Sequence, residues 1–185
     1  MTHAGGLLAR WRVRIGYLLA IWVLIFARPT PPFVAIGAAI GLIGLCLRAY
    51  AAGYLHKQEV LTVTGPYAYT RNPLYLGSAI LALGAGVATR SWISAAILLF
   101  YFAVVYSVVI RREEGELLRH HGAAFQVYAA AVPLFLPRVA PAQLPGASAG
   151  HFSFAQYKKN HEYQAALGYL VLLIGLLAIW RLQHH

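Results

Sequence analysis

Long apolar runs separated by short polar stretches most restrict how this chain can fold. Five such runs occur at about residues 13–27, 33–55, 74–88, 92–110 and 165–180. A bilayer core about 30 Å thick needs roughly 20 helical residues, fewer where flanking side chains reach the interface. With 60% hydrophobic and only 11% charged residues, the composition argues against both a soluble globular domain and a disordered chain. The sequence predicts an all-α, polytopic integral membrane bundle with about five transmembrane helices.

The distribution of charge predicts which helix ends face the cytoplasm. With five spans, twelve of the fifteen Lys and Arg residues fall on the side that holds the N-terminus and residues 53–73 and 111–164; the other side keeps Arg28, Arg90 and Arg181. Cytoplasmic loops carry the excess of Lys and Arg, so the first side, with the N-terminus, is expected to be cytoplasmic. All five acidic residues, each a glutamate, lie there as well. The net charge of +10 therefore indicates membrane orientation, and no nucleic-acid partner is expected.

A polar cluster before the third span combines a turn, an arginine and several tyrosines. Its members are Gly65, Pro66, Tyr67, Tyr69, Arg71, Pro73 and Tyr75. Tyrosine faces can hold a cationic ligand, and Arg71 can orient a carboxylate or phosphate. An aromatic belt with an anchoring arginine at the membrane interface explains the same residues equally well.

Two adjacent carboxylates, Glu113 and Glu114, directly follow the fourth apolar run. Carboxylates near the membrane surface can bind a ligand ammonium group or ribose hydroxyls. A solvated helix end in which they pair with Arg111 and Arg112 is the alternative, and such pairs contribute little to stability.

Two further features allow simple explanations. Gly84 and Gly86 in the third span leave the backbone open to close approach, for which helix packing is the default reason. The histidines are scattered, with no cysteine partner and no metal-binding spacing, so no metal is expected. They include His56, His120, His121, His151 and His161.

Over about residues 45–138, the order and spacing of these clusters resemble a family of integral membrane methyltransferases. The family is typified by isoprenylcysteine carboxyl methyltransferase and the phospholipid N-methyltransferases. The resemblance is carried by LTVTGPYAYTRNPLYLG at 61–77, Arg112-Glu113-Glu114 after a two-span hairpin, Leu117, GAAFQVY at 122–128, Val132-Pro133 and Pro137. It implies an S-adenosylmethionine-dependent enzyme whose site lies at the cytoplasmic face of the membrane.

The resemblance also implies roles for individual residues. Arg71, Tyr75 and Glu114 would be catalytic, with Arg71 orienting the reacting group of the substrate. The residues around the cofactor would be His56, Gly65, Tyr67, Tyr69, Asn72, Pro73, Gly84, Gly86, Glu113 and Glu114. Asn72 stands where the family usually has histidine, and Phe125 where it often has tyrosine. Asparagine keeps a hydrogen-bond donor and an acceptor but cannot titrate.

The expected organisation is a single membrane domain over residues 1–185. It comprises N-terminal spans (1–44), a methyltransferase-like core (45–138), a polar linker (139–164) and an additional C-terminal span (165–182). The expected reaction methylates a lipid-like or isoprenylated substrate, at a carboxylate oxygen or an amine nitrogen, with entry from the surrounding membrane lipids. Two alternatives stay open: a catalytically degenerate binding or scaffold protein, and a relative of sterol-type NADPH reductases, which share an Arg-x-Pro-x-Tyr-x-Gly element.

Overall fold

Helices make up most of the described part of the chain, with irregular segments at residues 132–144 and 150–153. The computed structural model describes residues 19, 21–55, 60–144 and 150–184. The helices are α1 (Pro31–Tyr54), α2 (Pro73–Ala88), α3 (Trp92–Ala131), α4 (Phe154–Lys159) and α5 (Tyr163–Gln183), with a 3₁₀ helix at Gly65–Ala68. No β-strand occurs within these described ranges, and the all-α prediction is confirmed.

Part of the predicted first span lies outside the described residues. Residues 13–18 and 20 belong to that part, as does the predicted site residue His56, whereas residues 21–25 of the span are helical. Among the described helices, α1, α3 and α5 are long and apolar enough to cross a membrane, and α2 is a shorter apolar helix. The prediction of an integral membrane helical bundle is therefore confirmed.

The helix α3 runs well beyond the predicted end of its span at residue 110. It comprises 40 residues and changes direction at Gly122, where φ is +48°. Residues 111–121 contain Arg, Glu and Leu, which favour helix, and no proline interrupts them; the single glycine in this stretch, Gly115, lies within the helix. Glycine tolerates the left-handed φ that this bend requires. The polar stretch after the fourth span thus begins as a continuation of the helix.

Small residues bring α1 and α2 into close antiparallel contact. A Cβ atom added at Gly37 would lie 2.5 Å from the Gly84 carbonyl oxygen, and one at Gly44 would lie 2.7 Å from the Gly77 carbonyl oxygen. Backbones can approach this closely only where side chains are absent. The glycines of α1 therefore form a helix-packing surface.

The C-terminal helix α5 packs into the groove between α1 and α2. Tyr169 donates a hydrogen bond from its hydroxyl to the Gly37 carbonyl, over 2.8 Å, and its ring occupies the space over Gly41. Leu176 is fully buried in a cluster with Val34 and Ala88. The helix beyond the methyltransferase-like segment is therefore an integral part of the bundle.

Candidate functional site

The polar cluster before α2 forms a loop, which we call the motif loop (residues 64–72), held by the chain that follows α3. The Arg71 amide donates to the Pro133 carbonyl over 3.0 Å, and the amides of Arg138 and Ala142 donate back to motif-loop carbonyls over 2.9 Å. The side chain of Asn72 donates to the Leu134 carbonyl over 2.9 Å. Residues 133–142 therefore run beside the motif loop and fix its backbone.

An ion pair joins the motif loop to the long helix α3. Arg71 Nη1 lies 2.6 Å from Glu114 Oε1, and the two side chains are only 16% and 25% exposed. Partial removal from water strengthens such a pair and makes an uncompensated partner costly. The sequence-predicted arginine and one of the two predicted carboxylates thus meet directly.

The second carboxylate meets a tyrosine of α2. The Tyr75 hydroxyl donates to Glu113 Oε1 over 2.5 Å. The Tyr75 ring packs edge-on against Tyr106 of α3, with centroids 5.0 Å apart. The adjacent residues Glu113 and Glu114 therefore each bind one member of the polar cluster before α2.

The alternative pairing of these carboxylates with neighbouring arginines is not what the structure shows. Arg112 pairs instead with Glu116, one helical turn further along, over 3.0 Å. Those two side chains are 63% and 43% exposed, so water weakens their attraction. The Arg112–Glu116 pair is therefore separate from the contacts that Glu113 and Glu114 make with Tyr75 and Arg71.

Tyr67 presents a buried hydroxyl beside these charges. The residue is 6% exposed, and its hydroxyl has no hydrogen-bond partner within the described part of the chain. Its carbonyl accepts a 2.8 Å bond from the Tyr128 hydroxyl. Burial raises the pKa of Tyr67 well above its usual value, and Tyr128 and the negative charges of Glu162 and Glu113 add to the effect. Tyr67 therefore stays protonated and offers an unused donor.

The other predicted site residues have identifiable local positions. Gly65 adopts φ +60° and packs against the Tyr54 ring. Pro73 is the buried first residue of α2, and Tyr69 is partly exposed beside it in the motif loop. Their role around a cofactor stays a prediction.

The glycines Gly84 and Gly86 lie at helix contacts within α2. A Cβ atom at Gly84 would lie 2.6 Å from the Tyr169 hydroxyl, and one at Gly86 would lie 2.9 Å from the Ala95 Cβ. Close helix packing accounts for both positions, and their role in cofactor binding stays a prediction.

Sequence reasoning missed a second buried ion pair, between α1 and the start of α5. Arg48 Nη2 lies 2.7 and 2.9 Å from the two carboxylate oxygens of Glu162, and the side chains are 18% and 10% exposed. An arginine within an apolar span is a functional signal by itself. Its partner is 114 residues away in the sequence, so the pair could not be assigned without the fold.

The segment that carries Glu162 also caps α1. The side chain of Asn160 donates to the carbonyls of Ala52 and Leu55, over 2.9 and 3.1 Å. The Ser153 amide donates to the Gly53 carbonyl over 2.9 Å. These bonds satisfy the carbonyls that the end of a helix leaves without partners.

The described residues include no group of three or more His, Cys, Asp or Glu side chains placed to hold a metal ion. The site is instead an arrangement of tyrosines, arginines and glutamates near the starts of α2 and α5 and the middle of α3. It suits an organic ligand that carries charge.

The fold and the composition of its helices define the chain as an integral membrane helical bundle. Residues 33–124, about half of the chain, match the phospholipid methyltransferase family. The resemblance recognised from the sequence is thereby confirmed, and this segment places the chain in the phospholipid methyltransferase family. No solved structure matches the chain significantly.

Two curated relatives are similar over much of the chain. They are the nickel-cobalt-cadmium resistance protein NccN of Alcaligenes xylosoxydans xylosoxydans and the cobalt-zinc-cadmium resistance protein CzcN of Cupriavidus metallidurans. Each is 32% identical over 136 residues, which is 70% of this chain. The alignment spans 63% and 62% of the relatives' own lengths.

Proposed function

We propose that this protein is an S-adenosylmethionine-dependent methyltransferase that acts on a lipid-like substrate at the cytoplasmic face of the membrane. The observation that carries the proposal is the double contact between the motif loop region and α3. Arg71 pairs with Glu114 and Tyr75 binds Glu113, within a segment that matches the phospholipid methyltransferase family. Two adjacent carboxylates and two partners that bind them are a specific arrangement, beyond what anchoring in the membrane requires.

The residues present suit a cationic cofactor of this kind. The cofactor combines a positively charged sulfonium with a carboxylate and ribose hydroxyls. Tyrosine faces and the nearby carboxylates complement the positive charge, and the buried Tyr67 hydroxyl supplies a donor for a ligand acceptor. We propose that Gly65, Tyr69, Asn72 and Pro73 surround the cofactor; the role that the resemblance implies for His56 concerns a residue outside the described ranges.

The chemistry demands little from the protein beyond positioning. When bound, S-adenosylmethionine would supply an activated methyl group for an oxygen or nitrogen nucleophile of the substrate. Arg71 holds the reacting group of the substrate in line, and Glu114 fixes the guanidinium. Tyr75 holds Glu113 in place. Correct orientation supplies much of the rate, and exclusion of water strengthens the electrostatic contacts within the site.

The names of the two relatives suggest a physiological setting. Both refer to resistance to metal ions. We propose that any such resistance in this protein arises from methylation of a membrane component. In cells challenged with cobalt or cadmium salts, the chain should then protect growth, whereas Glu114→Ala should not. Equal protection by both would favour the scaffold alternative.

The cytoplasmic orientation of the site has its own test. In a Cys46→Ser background, Arg119→Cys lies on the predicted cytoplasmic side and Arg90→Cys on the opposite side. In intact cells, a membrane-impermeant thiol reagent should label Arg90→Cys and leave Arg119→Cys unlabelled. The reverse pattern would contradict the orientation.

The reaction is tested by incubating purified protein with labelled S-adenosylmethionine and a membrane extract, followed by identification of the labelled product. A labelled lipid that is absent with Arg71→Ala is the expected result. Transfer of hydride from NADPH to a lipid, with no methyl transfer, would instead support the reductase alternative.

A further inference from the structure

Arg48 of α1 connects the C-terminal segment to the first turns of α2. Its Nη2 lies 2.9 and 2.7 Å from the two carboxylate oxygens of Glu162, so that carboxylate holds the guanidinium at two points. Its Nη1 donates to the Leu74 carbonyl over 3.3 Å and to the Ser78 hydroxyl. Ser78 itself donates to the same carbonyl over 3.1 Å. Arg48 therefore links Glu162, which lies beyond the matched segment, to the start of α2.

The bond from Arg48 acts on the backbone that carries Tyr75. The Leu74 carbonyl belongs to the peptide group that joins Leu74 to Tyr75. The Tyr75 hydroxyl in turn donates to Glu113 over 2.5 Å. The stem of Arg48 packs over the backbone of α2, since a Cβ atom at Gly77 would lie 2.6 Å from the Arg48 Cγ. A shift of this side chain is therefore expected to move the residue that binds Glu113.

The backbone just before Glu162 is held in a strained conformation. His161 adopts φ +55°, in the left-handed region that residues other than glycine rarely enter. Such a conformation costs free energy and persists where the surrounding contacts fix it. The neighbour on one side, Asn160, donates to the Leu55 carbonyl over 3.1 Å. The neighbour on the other side, Glu162, binds Arg48. The turn at His161 is thus fixed to α1 at both ends and places the carboxylate against the guanidinium.

The geometry that the Arg48–Glu162 pair fixes explains it better than stability does. The two side chains are 18% and 10% exposed. Removal of two charges from water offsets much of their attraction, so apolar residues of similar size are often equally stabilising. The pair also influences a residue of the motif loop. Burial is the main reason that the pKa of Tyr67 is raised, and the charges of both Glu162 and Glu113 add to it.

We propose that Glu162 is a positioning residue of the proposed active site: through Arg48 it fixes the first turn of α2 and so holds the Tyr75 hydroxyl against Glu113. The inference rests on the proposed function, in which Glu113 binds the cofactor. Glu162 itself is not expected to touch the cofactor, because Arg48 occupies both of its carboxylate oxygens. The segment beyond residue 124 then completes the site by holding the residues of the matched segment in register.

A double-mutant cycle separates positioning from general stability. The affinity of the full-length protein for S-adenosylmethionine is measured by calorimetric titration in detergent. Glu162→Gln should lower the affinity by about fivefold or more. Glu116→Gln, the same change in the exposed pair of α3, should leave it unchanged. In a Tyr75→Phe background, Glu162→Gln should lower the affinity by about twofold or less, because the contact that it positions is already absent.

Two results of the cycle would overturn the inference. One is an unchanged affinity in Glu162→Gln. The other is a loss in the Tyr75→Phe background as large as the loss in the wild-type background, which is expected if Glu162 serves only the stability of the bundle.

A second variant keeps the test valid if Glu162→Gln folds poorly. Arg48→Met combined with Glu162→Met leaves no buried charge without a partner, and methionine keeps the stem over Gly77. This protein should unfold at about the wild-type temperature and still lose affinity for S-adenosylmethionine as Glu162→Gln does. Wild-type affinity in this variant would contradict a positioning role.

Hydrogen exchange gives a readout that does not depend on the cofactor. The Leu76 amide, which bonds to the Asn72 carbonyl over 2.9 Å in the first turn of α2, should exchange faster in Glu162→Gln and at the wild-type rate in Glu116→Gln. If the wild-type protein binds no S-adenosylmethionine, faster exchange would retain the fixing of α2 by Glu162 and overturn the proposed function alone. Unchanged exchange in Glu162→Gln would overturn the positioning role itself.

Discussion

The segment that matches the family and the segment that follows it contribute in different ways. Residues 33–124 contain the residues that we propose to act in methyl transfer, namely Arg71, Tyr75 and the adjacent glutamates. Residues 132–183 supply the contacts that hold them, through the hydrogen bonds to the motif loop, the cap on α1 and the Arg48–Glu162 pair. The matched half is therefore fixed in place by a part of the chain that lies outside the matched segment.

The largest effect is expected where the reactive groups meet. Arg71→Ala should lower methyl transfer by about 100-fold or more, because loss of orientation at the reacting centre has effects of this size. Glu114→Ala should act similarly, since it leaves the partly buried guanidinium uncompensated. Initial rates with labelled S-adenosylmethionine measure both. If the rate of methyl transfer falls less than threefold in either variant, the Arg71–Glu114 pair has no essential part in the reaction.

The attachment of α5 is tested next. Gly41→Ala has no room for its Cβ atom beside the Tyr169 ring, and we expect a loss of about 1–3 kcal/mol in the free energy of unfolding. Thermal unfolding in detergent measures the loss, and Gly175→Ala, which has open space around it, is the control. Equal unfolding temperatures for the two variants would mean that α5 is an independent appendage.

A smaller and more local effect is expected at Asn72. Asn72→Leu leaves the Leu134 carbonyl without its donor, at a cost of about 1–3 kcal/mol at most. Hydrogen exchange should speed up at the amides of Arg138 and Ala142, which bond to the motif loop. Ser107→Ala, which removes a bond within an exposed turn of α3, should leave these amides unchanged. If hydrogen exchange is unchanged in Asn72→Leu, the Asn72 side chain does not help to hold the motif loop in place.

The smallest effect is expected from the exposed ion pair of α3. Arg112→Ala should change methyl transfer by about twofold or less, because solvent already weakens its contact with Glu116. The same rate assay measures this variant. If Arg112→Ala lost as much methyl transfer as Arg71→Ala, the exposed pair would matter as much as the partly buried one. Our distinction between the Arg71–Glu114 and Arg112–Glu116 pairs would then be wrong.

The helices could be predicted closely from the sequence because each apolar run has clear limits. The second run, predicted at 33–55, is α1 at Pro31–Tyr54, where a proline pair marks the start. The third, predicted at 74–88, is α2 at Pro73–Ala88. The extension of α3 to Ala131 could not be predicted, since charged residues such as Glu113 and Arg112 suit a surface helix and a loop alike.

The residues of the candidate site could be predicted from the sequence, but the contacts between them could not. Arg71, Tyr75 and the two glutamates stand out as polar residues beside apolar runs, and the resemblance joins them. Which glutamate contacts which partner depends on the angle at which α3 passes α2. It also depends on residues 133–142, which follow α3 and hold the motif loop in place. The Arg48–Glu162 pair depends on how α5 packs into the bundle, which apolar content alone does not encode.

The central claim is tested most directly by calorimetric titration of the purified protein with S-adenosylmethionine. We expect saturable binding of one cofactor per chain. The affinity should fall at least tenfold in Glu113→Ala and stay unchanged in Arg112→Ala. If the wild-type protein binds no S-adenosylmethionine, in a preparation whose thermal unfolding shows that it is folded, the protein is not a methyltransferase that uses this cofactor.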